Sequence, residues 1–198
     1  ADAWSGLERL FAKLRRFSDQ ATALARLAEL ASEPSAKAGY LARRGRILEK
    51  EGNLGEAMEA YSQSLATFAQ AESEAVVGLE RLLDRDETRF AAAGVLEPHH
   101  RSTGDARALA GILDVVDDGL AQAPAKVRGQ AKHLKKRLGI LREVAGLRER
   151  LNEGSLALAA RLKAFALVPH DESIRNELWR TAEATESFDE LASVYEEE

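Results

Sequence analysis

Residues 41–65 read LARRGRILEKEGNLGEAMEAYSQSL, and this stretch decides the fold. Leu41, Gly45 and Leu48 recur at steps of four and three, the spacing of one helical stripe. Ala57, Tyr61 and Ser64 do the same on the far side of Gly52-Asn53. That dipeptide supplies the left-handed backbone with which a helix commonly ends. The spacing therefore predicts a helix over 35–51, a tight turn, and a second helix over 54–68 folded back on the first. Small residues at Gly45 and Ala57 allow the two backbones to approach, while the larger side chains fill the groove beside them.

The same period runs outward in both directions. Trp4, Leu7, Phe11 and Leu14 form one stripe; Leu24, Leu27, Leu30 and Ala31 form another that ends before Pro34. Downstream, helices are expected over 73–83 and 87–102. A seventh is capped by Asp105 and carries Leu109, Ile112, Leu113 and Val116. Pro124 opens a long eighth segment reaching Leu151, read as one helix or one kinked near Gly139. Helices over 156–167 and 171–185 and a last one bearing Phe188, Leu191, Val194 and Tyr195 complete the chain. Strand alternation is absent, and connections of a few residues require antiparallel neighbours. The expectation is an all-α chain of 10–11 helices in one domain, 1–198, with its strongest repeats at 35–69 and 124–169.

Those repeats carry a resemblance. Leu41, Gly45, Leu48, the Gly52-Asn53 turn, Ala57, Tyr61 and Ser64 follow in order the large and small positions of a tetratricopeptide motif. A hundred residues on, Leu141, Ala145, the turn at 152–155, Ala157, Ala164 and the closing Pro169 occupy the same slots. Arg44, Arg148 and Arg161 depart from the motif, standing where large apolar or aromatic side chains are expected, as a shifted register would produce. The chain thus resembles a degenerate, long-period segment of the tetratricopeptide-like solenoids found in large bacterial proteins. The resemblance implies a right-handed superhelix of helix pairs, each touching only its neighbours, whose ends need polar caps or continuation in a longer chain; Glu196–Glu198 are read as such a cap or as a cut site. It also implies a concave binding surface lined by the first helix of each pair.

Composition narrows the function. Of 198 residues, 36 are Ala and only 6% are aromatic, which favours close helix packing over sheet. A net charge of −5 gives no general attraction to nucleic acid or anionic lipid. The absence of Cys excludes disulfides and thiol chemistry and leaves the redox compartment open. No apolar run approaches the roughly 18 residues of a membrane span. A cytoplasmic protein is expected, or a periplasmic or secreted one if Ala1 follows a processed leader. The 20 Arg against 8 Lys fit a GC-rich bacterial source.

No nucleophile elbow or phosphate-cradling glycine loop is present, so no catalytic residue and no cofactor is expected. Glu97 and His100 share a helix at a metal-site spacing but lack a second such pair, and no metal is expected. The basic stretch 126–150 is read chiefly as a solvated helix face whose Lys and Arg stems cover apolar surface. Among the basic residues, Arg43, Arg44 and Arg46 in the third helix and Lys132, Lys135, Lys136 and Arg142 in the eighth are the candidate partner-binding set. Their chemistry suits an acidic or carboxylate-ended peptide, since guanidinium groups bind carboxylates bidentately. The expected role is a non-catalytic scaffold that holds a protein or peptide. The rivals are a spacer or self-assembling segment, and nucleic-acid binding through 126–150.

Overall fold

In the computed structural model, residues 2–69 and 73–196 are described, with side chains to Ala192. The expected core roles of Val194 and Tyr195, the acidic cap at 196–198 and the reading of Ala1 lie outside that set. All regular structure among the described residues is helical. In chain order the helices are α1 (Asp2–Lys13), α2 (Phe17–Leu30), α3 (Pro34–Lys50), α4 (Leu54–Thr67), α5 (Glu74–Leu83) and α6 (Arg89–Thr103). They continue as α7 (Ala106–Ala121), α8 (Ala125–Arg128), α9 (Ala131–Arg150), α10 (Gly154–Leu167), α11 (Glu172–Thr185) and α12 (Phe188–Glu196). None is long and apolar enough to cross a membrane.

One boundary differs from expectation. The long eighth segment breaks at Gly129-Gln130, leaving the single turn α8, whereas α9 passes through Gly139 without interruption. Every residue from Pro124 to Lys132 is exposed, so no buried contact holds a continuous helix across a glycine. Gln130 is extended instead and caps α9, and His133 Nε2 ties the new start to the Leu120 carbonyl at 3.0 Å.

The chain forms two compact units, 1–103 and 104–198, and each of the two strongest repeats falls inside one of them. In the first unit every helix packs on the next, and α3 also meets α5 while α4 meets α6. Its core holds Leu24, Leu48, Tyr61, Leu79, Leu82 and Leu96. In the second unit α7 packs on α9, and α9, α10, α11 and α12 follow in succession. Leu113, Val144 and Leu147 centre one core cluster there; Leu141, Phe165, Ile174 and Leu178 centre the other.

Four hairpins end their first helix in the same way. Arg15, Gly52, Asn152 and Glu186 all take the left-handed backbone, with φ of 54°, 80°, 57° and 55°. In each, the following amide donates to the carbonyl five residues back: Arg16 to Phe11, Asn53 to Leu48, Glu153 to Arg148 and Ser187 to Ala182. This is the Schellman closure, which satisfies carbonyls that the helix end would otherwise leave open. The last two of these turns, at 152 and 186, are separated by 34 residues.

Between turns, the packing is organised around Tyr61. The fully buried ring lies across Gly45 of α3 and Gly78 of α5, where a Cβ on Gly45 would stand only 2.7 Å from the ring. Antiparallel register follows from Ser64 Oγ donating to the Ala38 carbonyl at 2.8 Å while Tyr61 meets Gly45. A hundred residues later the same layer is built differently. Arg161 stands at the Tyr61 position, Ala145 at that of Gly45 and Leu178 at that of Gly78. Arg161 is buried and its guanidinium donates to Glu149 and Glu177, so an ion pair replaces the aromatic plug and glycines are no longer needed. The turn at Asn152 coincides with that at Gly52, so the register is unshifted.

Gly78→Ala is expected to lower stability by about 1–3 kcal/mol through overpacking against the ring. In a Tyr61→Ala background the same change should cost almost nothing. Urea unfolding midpoints of the four proteins in this cycle measure the coupling directly.

Candidate functional site

The first unit holds a groove of about 750 Å³ between α3 and α5, lined by Arg46, Glu49, Lys50, Glu74, Val77, Arg81 and Arg85. The two helices run in the same direction along it, since Arg46 meets Glu74 at 3.3 Å and Glu49 meets Arg81 at 2.7 Å further on. Four cations face two carboxylates, a formal excess of two positive charges.

Tyr61 fixes the floor. Its hydroxyl, reaching past the two glycines, donates to Glu49 Oε2 at 2.8 Å, and Arg81 donates to both Glu49 oxygens at 3.0 and 2.7 Å. The Arg81 hydrogen bond, followed by that of Tyr61, holds the Glu49 carboxyl below the usual carboxylate range against the opposing effect of burial. Burial and then the Glu49 hydrogen bond push the Tyr61 phenol above its ordinary value. Glu49 therefore stays ionised and keeps Arg81 in place at the groove wall. Lys50 and Arg85 are exposed and make no ion pair among the described residues, and Val77 is 47% exposed beside them. The groove thus offers two cations without an ion pair among the described residues, Arg85 acting on Glu49 only at a distance, and an apolar foothold.

The sequence-derived candidates separate on this geometry. Arg46 lines the groove. Arg43 instead bonds the buried Glu8 at 2.7 Å and ties α3 to α1, with Gln20 donating to the same carboxylate oxygen. Arg44 faces α4 and pairs with Glu56 at 3.7 Å. In the second unit, Arg142 of α9 reaches Glu177 and Ser173 of α11. Lys132, Lys135 and Lys136 are exposed on α9 without an ion pair among the described residues. Of the other basic residues between 126 and 150, Arg137 grips the buried Asp117 bidentately at 2.8 and 3.1 Å, and Arg148 bonds Glu153 and Asp114. Much of that stretch is cross-helix bracing.

The pattern of residues does not single out Lys50, Arg81 or Arg85. Their signal is the placement of α5 as the first helix of the next pair, parallel to α3, with Arg81 seven residues after Glu74. The matching position in the second unit, around Glu149, Asn152, Arg180 and Thr181, forms a smaller depression of about 480 Å³. One arginine faces one glutamate there, so it carries no formal excess. Glu97 and Arg101 form an ion pair at 3.1 Å, and no group of three metal-binding side chains occurs among the described residues. No protein-family model matches the chain, and no curated protein matches it either.

Because folding lowers the pKa of Glu49, the stability it contributes is complete above the ordinary value of 4.5 and is lost as pH falls through the depressed folded value. Glu49→Gln should therefore be less stable than the parent at neutral pH and lose less stability on acidification. Urea unfolding at a series of pH values from about 3 to about 7 checks this, with the two curves converging at the acid end.

Proposed function

We propose that the chain is a non-catalytic interaction module built from tetratricopeptide-like helix pairs, and that it holds an acidic segment of a partner protein in the α3–α5 groove. The recurrent Schellman hairpins, the 34-residue interval between the turns at 152 and 186 and the parallel first helices support the repeat assignment. The observation that carries the binding assignment is the groove's excess of cations. Lys50 and Arg85 make no ion pair among the described residues, Arg46 and Arg81 are held in place by glutamates, and Val77 is open to an apolar side chain.

An extended peptide with two carboxylates around an apolar residue satisfies this lining. The carboxylates meet Lys50 and Arg85 through charge-assisted hydrogen bonds, and the apolar residue covers Val77. Binding of this type depends on positioned charge, so it weakens with salt. The Lys132, Lys135 and Lys136 surface on α9 is a second cationic patch, but it lacks the enclosing walls and the apolar contact that α3 and α5 give the groove.

Fluorescence anisotropy with labelled acidic peptides tests the assignment. The parent should bind them at least about tenfold more tightly than charge-reversed peptides, and Lys50→Glu/Arg85→Glu should abolish that preference. Lys132→Glu/Lys135→Glu/Lys136→Glu should leave it intact. Loss of binding in the triple variant alone would move the site to α9, and equal affinity of the parent for acidic and basic peptides would sink the reading.

A further inference from the structure

We propose that the chain associates with copies of itself through a heterologous contact, in which the exposed leucine stripe of α1 on one copy receives the acidic, aromatic surface of α11 and α12 on another. The contact uses none of the residues that line the α3–α5 groove and does not depend on the function assigned to it.

Leu7 and Leu10 of α1 and Leu14, just past its end, are 37%, 49% and 56% exposed and follow at steps of three and four. This face cannot be buried by rotating the helix within the fold. The opposite side is anchored by Glu8, which is buried and accepts hydrogen bonds from Gln20 of α2 and Arg43 of α3. Turning the leucines inward would strand that carboxylate, and a buried charge deprived of its partners is strongly destabilising. Arg9 and Lys13, one turn apart beside the stripe, are exposed and make no ion pair among the described residues. From Arg9 to Ser18 there is no acidic residue.

The second surface has the complementary character. Trp179 and Phe188 are 53% and 49% exposed. Trp179 and Glu183 stand at i and i+4 on one face of α11, and Glu186 follows as its left-handed cap. Glu183, Glu186, Asp189 and Glu190 are exposed here, and no Lys or Arg lies between Thr181 and Ala192. Aromatic side chains of this size supply most of the energy of small interfaces when they are covered.

Charge decides which faces meet. Pairing α1 with α1 would set Arg9 and Lys13 against their own copies, and pairing the acidic surface with itself would oppose carboxylates. Like charges brought together at an interface are penalised, whereas the mixed contact places cations against carboxylates around leucine and aromatic contacts. A contact between two different surfaces is heterologous, so after the first association each copy retains one free surface and the pair retains one of each kind.

Sedimentation equilibrium of the full chain, from about 10 to about 500 µM in low salt, should show a mass rising above 21.6 kDa with concentration. Raising the salt roughly tenfold should weaken the association. Leu10→Glu/Leu14→Glu and Trp179→Ala/Phe188→Ala each remove one surface at exposed positions, so both should keep the parent's helicity by circular dichroism. Each variant alone should stay monomeric, and an equimolar mixture should form a one-to-one complex because one intact surface of each kind remains. Lys50→Glu/Arg85→Glu should associate like the parent, which separates this contact from the groove. A parent that is monomeric throughout, a single variant that self-associates as the parent does, or a mixture no heavier than its components would each overturn the proposal.

Discussion

The first unit depends on one steric arrangement: an aromatic ring laid across two glycines on two different helices. Tyr61 of α4 fits only because neither Gly45 nor Gly78 carries a Cβ, and those two glycines set how closely α3 and α5 approach α4. The ring is long enough for its hydroxyl to emerge at the α3–α5 surface, where it meets Glu49. Packing and electrostatics are therefore joined through a single side chain. The buried end sets the helix spacing, and the polar end orders the glutamate that positions Arg81.

The second unit reaches the same helix arrangement through a different chemistry. With Arg161 in place of the tyrosine, the layer holds a buried guanidinium between Glu149 and Glu177, and Thr181 donates to Glu149 as well. Arg142 joins the same network through Glu177. Ala145 and Leu178, at the positions of the two glycines, are fully buried. Buried ion pairs of this kind add little net stability compared with an apolar plug but penalise loss of either partner, so this layer of the second unit tolerates removal of no member of the network. Its groove surface is consequently neutral, whereas the first unit leaves Lys50 and Arg85 to solvent.

This difference bears on every basic residue in the chain. An arginine is available to a partner only if no carboxylate of its own fold has claimed it, and Arg43, Arg137, Arg148 and Arg161 are all claimed by acids on neighbouring helices. The charge excess of 126–150 in sequence is thus smaller on the surface than a count implies. Cations without an ion pair among the described residues include Lys50 and Arg85 beside Val77, Arg9 and Lys13 on α1, and Lys132, Lys135 and Lys136 on α9.

The helical class, the positions of most helices and the paired design at 41–64 and 141–164 were legible in the residues alone, because helical period and left-handed turn residues are local properties. Gly52 and Asn152 announce their turns without reference to any distant contact, and Leu41 and Leu141 declare the same buried stripe. The split between α8 and α9 was not legible, since Gly139 and Gly129 have equal intrinsic cost and only the missing buried contacts around 124–132 decide which one breaks the helix. Nor could the fate of Arg43 or Arg44 be read in advance. Both lie in the same basic run as Arg46, yet Glu8 and Glu56 reach them only after α1 and α4 have packed against α3. Periodicity determines which residues are helical and which share a face; whether that face is buried, as at Leu24, or exposed, as at Leu7 and Leu14, and which charges pair between helices are decided by tertiary packing, because carboxylates far apart in the chain compete for each cation.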